Sequence, residues 1–278
     1  MPELPEVETV MRGLSARLLG RTITYAGVHR AGMRWAFPLG LAEALTGAEV
    51  IGFRRRAKYI LMRLADRPTV LIHLGMSGRL NITPTGVNAI PLHEHLTLQT
   101  DDGWRIGFVD PRRFGSVDLI DPDHEDTHRL LEGLGPEPLD AAFNAATLTR
   151  ALTGRSTPIK AALLDQGNVA GLGNIYVCEA LFRARISPRR LAGKVSKPAV
   201  LRLVSTIKET LLEAIAAGGS SLRDYVQPDG ELGYFQHGFK VYARTGQPCE
   251  RCPGYPCPGI ARIVQSGRSS FYCPKTQR

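Results

Sequence analysis

The sequence predicts an α+β protein of more than one domain, and three observations carry that reading. Apolar residues recur at helical spacing near the start. From about residue 22 to residue 120 the pattern changes to short β-rich runs parted by Gly, Pro and Asp. Helical spacing then dominates again, and four of the five cysteines fall in the final thirty positions. A length of 278 residues suffices for two domains of ordinary size.

Val7, Val10, Met11, Leu14 and Leu18 fall on one helical face, and Gly20 ends that helix. The runs 22–28, 49–53, 59–64, 69–74, 95–100, 104–110 and 116–120 read as strands of a β-sandwich or a β-barrel, with a short helix at 39–45. Residues 121–125 are an acidic break, and Leu134-Gly135-Pro136-Glu137-Pro138-Leu139 is stiff and turn-rich, which puts the linker in this region. Helices are expected at 126–132, 144–152, 158–164, 174–184 and 198–217. The last carries Val200, Leu201, Val204, Ile207, Leu211 and Ile215 along one face. Between two of these helices, residues 165–174 hold three glycines and two asparagines, a tight turn that opens a helix. Its backbone N–H groups suit a phosphate, and a plain helix–helix turn fits equally well. Residues 218–238 are polar, glycine-rich and without a period, as in a mobile loop. Strand-like runs around the cysteines suggest a small metal-held hairpin. The expected domains are 1–133, 134–238 and 239–278.

Composition narrows the function. A net charge of +9 suits a polyanionic partner, with nucleic acid the first choice. No run is apolar enough to span a membrane, and no secretion signal opens the chain, so a cytoplasmic location is expected. Without secretion, the clustered Cys249, Cys252, Cys257 and Cys273 read as metal ligands, not disulfides. Cys178, alone in a helical pattern, reads as a small buried hydrophobe. Nothing suggests a symmetric interface, so a monomer is expected.

The chemistry concentrates at Met1-Pro2-Glu3-Leu4-Pro5-Glu6-Val7-Glu8. If Met1 is removed, Pro2 becomes a secondary amine with a pKa near 8, able to attack a sugar carbon and form an iminium. Glu3 beside it supplies proton transfer. The opposing reading is a frayed start with Glu6 and Glu8 facing the helix dipole. Lys58 follows Arg54-Arg55-Arg56-Ala57. The three arginines read as a solvated basic edge, while Lys58 projects from a strand toward a phosphate or the amine. Two turns, around Met76 in His73-Leu74-Gly75-Met76-Ser77-Gly78 and in Asp110-Pro111-Arg112-Arg113-Phe114-Gly115, offer an apolar wedge, two cations and an aromatic ring. Such wedges unstack bases.

Together these segments resemble the formamidopyrimidine-DNA glycosylases, over nearly the whole chain. The opening Leu4-Pro5-Glu6-Val7 is more similar to this branch than to the endonuclease VIII branch, which tends to have Gly in place of Leu4. The resemblance implies an N-terminal β-sandwich with flanking helices, a helical domain with a helix–two-turns–helix motif, and a C-terminal zinc-type β-hairpin. It implies excision of oxidised purines (8-oxoguanine and formamidopyrimidines) from duplex DNA. Cleavage of the abasic strand by β,δ-elimination follows, as base-excision repair requires. Pro2 would attack C1′, Glu3 would move a proton, and Lys58 would contact phosphates and support the iminium. Met76, Arg112 and Phe114 would fill the space left by the flipped nucleotide, with Arg112 facing the orphan cytosine. His73, His95, Asn174, Arg223 and Arg268 would be further DNA contacts. Any zinc would be structural, one per chain.

The sequence departs from the family pattern twice. Thr276 stands where the fourth zinc ligand is expected, so Cys257 completes the set with Cys249, Cys252 and Cys273 only if the knuckle is rearranged; the alternative is a zinc-free hairpin held by packing. Arg223 stands where many relatives present a lysine in the loop over the lesion, and the two are not interchangeable at a hydrogen-bonding site. Two other functions compete: an endonuclease VIII-type glycosylase of oxidised pyrimidines, and a non-catalytic DNA-binding relative. A zinc-hairpin RNA-binding or structural protein would explain the charge and the cysteines but not the N-terminus.

Overall fold

The opening helix α1 (Leu4–Leu18) is set by its first turn. Glu3 is the N-cap, Pro5 lies where a missing N–H costs nothing, and the Glu3 N–H donates to Glu6 Oε2 at 2.8 Å. This computed structural model describes residues 2–86, 90–220, 233–252 and 257–278. The chain divides into two units, Met1–Glu132 with Ile215–Gln236, and Gly133–Ala214 with His237–Arg278.

In the first unit α1 is followed by β1 (Ile23–Val28), α2 (Leu41–Leu45), β2 (Val50–Arg56), β3 (Tyr59–Leu64), β4 (Thr69–His73), β5 (Arg79–Pro84), β6 (Glu94–Thr100), β7 (Trp104–Val109) and β8 (Ser116–Ile120). They form two antiparallel sheets, β1-β6-β7-β5 and β2-β3-β4-β8. Two separate sheets decide for the sandwich over the barrel. Ile60, Met62, Val70 and Ile72 of one sheet and Leu96, Leu98, Ile106 and Phe108 of the other share a core with Val10, Leu14 and Leu18 of α1. Full burial of such a side chain contributes about 1.5–3 kcal/mol.

Three expectations need correction here. β5 was not anticipated: its Leu80 and Ile82 alternate with polar residues, and Pro84 is tolerated because β5 is an edge strand. No helix forms at 126–132, where a 3₁₀ turn (Pro122–His124) leads into further turns. Side chains there are drawn to the sheet: Glu125 accepts from Arg63 and Thr69, and Arg129 pairs with Asp118 at 3.1 Å. The three arginines do not make a uniformly solvated edge. Arg54 pairs with Asp126 at 2.7 Å, and Arg55, its side chain 9% exposed, pairs with Glu8 of α1 at 2.8 Å.

The second unit contains α3 (Ala145–Leu152), capped by Asn144 Oδ1, then α4 (Ile159–Leu164), α5 (Asn174–Arg183), most of α6 (Lys197–Ala216), and the hairpin β9 (Ala261–Gln265) and β10 (Arg268–Tyr272). The hairpin turns on Ser266 and Gly267, both at positive φ (48° and 71°), as a two-residue turn favours. Between α4 and α5, Gln166 folds the connection by donating to the Leu164 and Leu172 carbonyls and accepting from the Gly171 N–H. Cys178 is buried with Phe182, Val241 and Phe271, as a small hydrophobe would be. Among the described residues, no helix is long and apolar enough to cross a membrane.

Candidate active site and nucleic-acid interface

Pro2 and Glu3 are buried, which a frayed start would not be. Glu6 pins them. One of its oxygens holds the Glu3 N–H, and the other accepts the Ser220 N–H at 2.8 Å and its hydroxyl at 3.1 Å. The arrangement needs Gly219, at φ 80°, because a Cβ there would lie 3.0 Å from the Glu6 side chain. Glu6 therefore ties the N-terminus to the segment that enters 221–232. Arg223 and most of the expected 218–238 loop lie outside the described residues.

Lys58 is buried at the tip of the β2–β3 hairpin, not within a strand. Ala57, at φ 53°, turns the chain beside it. α1 packs against both strands of this hairpin. His73, at the end of β4, stacks on Tyr59 with ring centroids 4.7 Å apart. Burial, then the cations of Lys58 and Arg34, lower its pKa to about 4, so the ring is neutral near pH 7. Nδ1 accepts the Gly75 N–H at 3.1 Å, which puts the proton on Nε2, where it can donate to a phosphate.

The two candidate wedge turns are joined. Met76 is half-buried, while Arg112 and Phe114 are exposed, Phe114 by 42%, with the Arg112 guanidinium 5.1 Å from the Phe114 ring centre. Gly75, at φ 62°, approaches so closely that a Cβ would lie 2.3 Å from the Phe114 carbonyl carbon. Ser77 donates to Asp110 Oδ1 at 2.6 Å, and the Gly115 N–H donates to Oδ2 at 2.7 Å. His95 is fully buried, with Nε2 2.9 Å from the Asp110 carbonyl. The structure therefore places it beneath this turn, not on a surface that DNA would touch.

In the second unit Asn174 opens α5 and donates to the Ser269 carbonyl at 3.0 Å. Ser269 adjoins Arg268, so Asn174 and the exposed Arg268 come together. The same carbonyl accepts from Lys160 Nζ at 2.9 Å, and Ser270 Oγ lies 2.7 Å from that nitrogen. Lys160 is fully buried, and so is Glu179, whose carboxylate gathers the backbone N–H groups of Lys240, Val241 and Tyr242. Neither was anticipated. A charged residue within an apolar helical run was the available signal, since a buried charge must be paired or hydrogen-bonded.

The Sγ atoms of Cys249, Cys252, Cys257 and Cys273 all lie within 4.8 Å of one another, with Cys252 and Cys273 3.6 Å apart. Tetrahedral zinc–thiolate bonds of about 2.3 Å imply sulfur separations near 3.8 Å, so this donor set fits such a metal. The Cys249 N–H, 3.3 Å away, is the main cause that lowers the Cys257 thiol to about 6. Burial opposes ionisation of Cys273, but the neighbouring Thr276 and Lys275 outweigh it and hold its pKa below the ordinary value. Thr276 thus sits beside Cys273, and Cys257 gathers with the other three cysteines.

Residues 1–117 match the formamidopyrimidine-DNA glycosylase N-terminal domain, and residues 134–226 match the H2TH domain of the same family. Formamidopyrimidine-DNA glycosylases of Acidiphilium cryptum and of a Ruegeria species are 64% and 55% identical over the full length of both chains. A Lactococcus lactis FPG mutant, solved with DNA containing Fapy-dG, superposes with a TM-score of 0.90 at 34% identity over all of both chains. MutM (FPG) from Thermus thermophilus gives 0.86 at 39% identity, covering 99% of this chain and 98% of the other. A MutM complex with DNA containing carbocyclic 8-oxo-G gives 0.89 at 35%, again over all of both chains. The chain belongs to the formamidopyrimidine-DNA glycosylase family.

Proposed function

We propose that this protein is a bifunctional DNA glycosylase and AP lyase that excises oxidised purines from duplex DNA in base-excision repair. The observation that carries the reading is the buried start of the chain, with Pro2 and Glu3 pinned by Glu6 at the head of a helix that packs on the Lys58 hairpin. A module that only binds DNA has no use for that arrangement. Relatives solved with Fapy-dG and 8-oxo-G DNA support the oxidised-purine substrate.

With Met1 removed, the Pro2 nitrogen attacks C1′ of the damaged nucleoside, and the bond to the base breaks as Glu3 manages the proton. The C1′–O4′ bond of the ring then breaks, with Glu3 giving a proton to O4′, and the resulting open-chain iminium acidifies the C2′ proton. Its loss expels the 3′ phosphate, and a second elimination expels the 5′ phosphate. Lys58 supports the iminium and holds flanking phosphates, with His73 donating from Nε2. Met76, Arg112 and Phe114 occupy the vacated stack, a geometry consistent with the joining of their two turns. His95 supports that turn from below. Asn174, at a helix N-terminus, and Arg268 grip the backbone. The four cysteines would hold one zinc, which would stabilise the hairpin that presents Arg268. The net charge of +9 suits a DNA partner, and the protein works as a cytoplasmic monomer with limits near 133 and 238 for its domains.

Pro2→Gly tests the reading on a duplex with 8-oxoguanine opposite cytosine. Strand cleavage is lost while binding of the lesion duplex stays within about threefold, because the change removes a nucleophile and little surface. Full cleavage by the variant would remove Pro2 from the mechanism.

A further inference from the structure

We propose that Asp110 is the positioning residue that locks the Met76 turn and the Arg112–Phe114 turn into one body, and thereby sets the preference for the base opposite the lesion. This rests on the glycosylase reading above. Asp110 is fully buried and touches no surface, so it acts only through its bonds. Its two carboxylate oxygens serve the two turns: Oδ1 takes the Ser77 hydroxyl at 2.6 Å, and Oδ2 takes the Gly115 N–H at 2.7 Å. Ser77 Oγ in turn accepts the Arg112 N–H at 3.3 Å, so the chain of bonds runs from one turn through Asp110 and back to the arginine. The Asp110 carbonyl accepts the Arg113 N–H at 3.2 Å and the His95 ring at 2.9 Å. Arg113 is held at φ 55°, a conformation that a side-chain-bearing residue keeps only when its surroundings impose it.

The consequence concerns Arg112. A guanidinium offers donors and no acceptor. The pairing edge of cytosine presents two adjacent acceptors, whereas that of adenine presents one acceptor beside an amino donor. An arginine fixed in place tells these apart, and one free to swing does not. Asp110→Asn leaves one oxygen for two donors and aims an amide at the other. Ser77→Ala cuts the same link from the far side with little change in volume.

The test is single-turnover excision of 8-oxoguanine opposite cytosine and opposite adenine, for the wild type, D110N, S77A, R112A and the double variant D110N/R112A. The cytosine-to-adenine rate ratio should fall about tenfold in D110N and S77A, toward that of R112A, as loss of a buried hydrogen bond implies. D110N should add nothing to the ratio in the R112A background. An unchanged ratio, or an additive effect, would overturn the proposal, since a merely structural role slows both duplexes alike. Amide hydrogen exchange in free D110N gives a readout that does not depend on activity. Residues 74–78 and 111–115 should lose protection together, and loss in one turn alone would also overturn it. Absence of excision by the wild type would instead sink the glycosylase reading and leave the exchange result to decide the coupling.

Discussion

His73 stays neutral near pH 7 because burial and two neighbouring cations lower its pKa from 6.5 to about 4. The folded state then binds fewer protons than the unfolded chain between these values. Stability from this site is complete above pH 6.5 and falls as pH drops toward 4, by on the order of 3 kcal/mol in total. In urea titrations from pH 7.5 to 4, His73→Gln should flatten this part of the slope, and an unchanged slope would remove His73 as its source. At this scale the sequence was most legible where a residue acts through its own chemistry. Pro2 and Glu3 stood out because an amine beside an acid at a chain start has few other uses. Glu6 and Asp110 did not, because their partners are distant. Ser220 lies 214 positions from Glu6, and Ser77 lies 33 from Asp110.

Gly75 is where two elements meet. At φ 62°, with room for no Cβ against Phe114 and Gly115, it permits the turn after β4 to close on the turn after β7. Gly75→Ala should destabilise the first unit by about 1–3 kcal/mol in urea and slow lesion excision, because both turns must move apart. Wild-type stability and rate in that variant would show that the close approach is dispensable. Periodicity located most strands and helices because their apolar residues face one core. It failed where tertiary contacts overrode local pattern. β5 is an edge strand that ends in a proline, and in 126–132 the side chains of Asp126, His128 and Arg129 reach Arg54 and Asp118 of the neighbouring sheet.

Across the whole molecule, the surplus of 35 basic over 26 acidic residues pointed to a polyanion, but neither pairing nor placement of those charges was readable. Lys160 proved to be buried and Arg55 partly so, and both are hydrogen-bonded. The cysteine cluster was legible as a candidate metal site, and the structure gathers Cys257 with the other three. Zinc content should be one per chain, and after dialysis against a chelator Cys257→Ser should retain little and bind damaged duplex more weakly. Full retention would place the fourth ligand elsewhere. That an amine at Pro2 opens the sugar is tested most directly by borohydride trapping on a duplex carrying 8-oxoguanine opposite cytosine, followed by peptide mass spectrometry. A covalent adduct on Pro2, with Met1 absent from the trapped peptide, is the expected result. An adduct on another residue, or none from folded protein that still binds the damaged duplex, would contradict it.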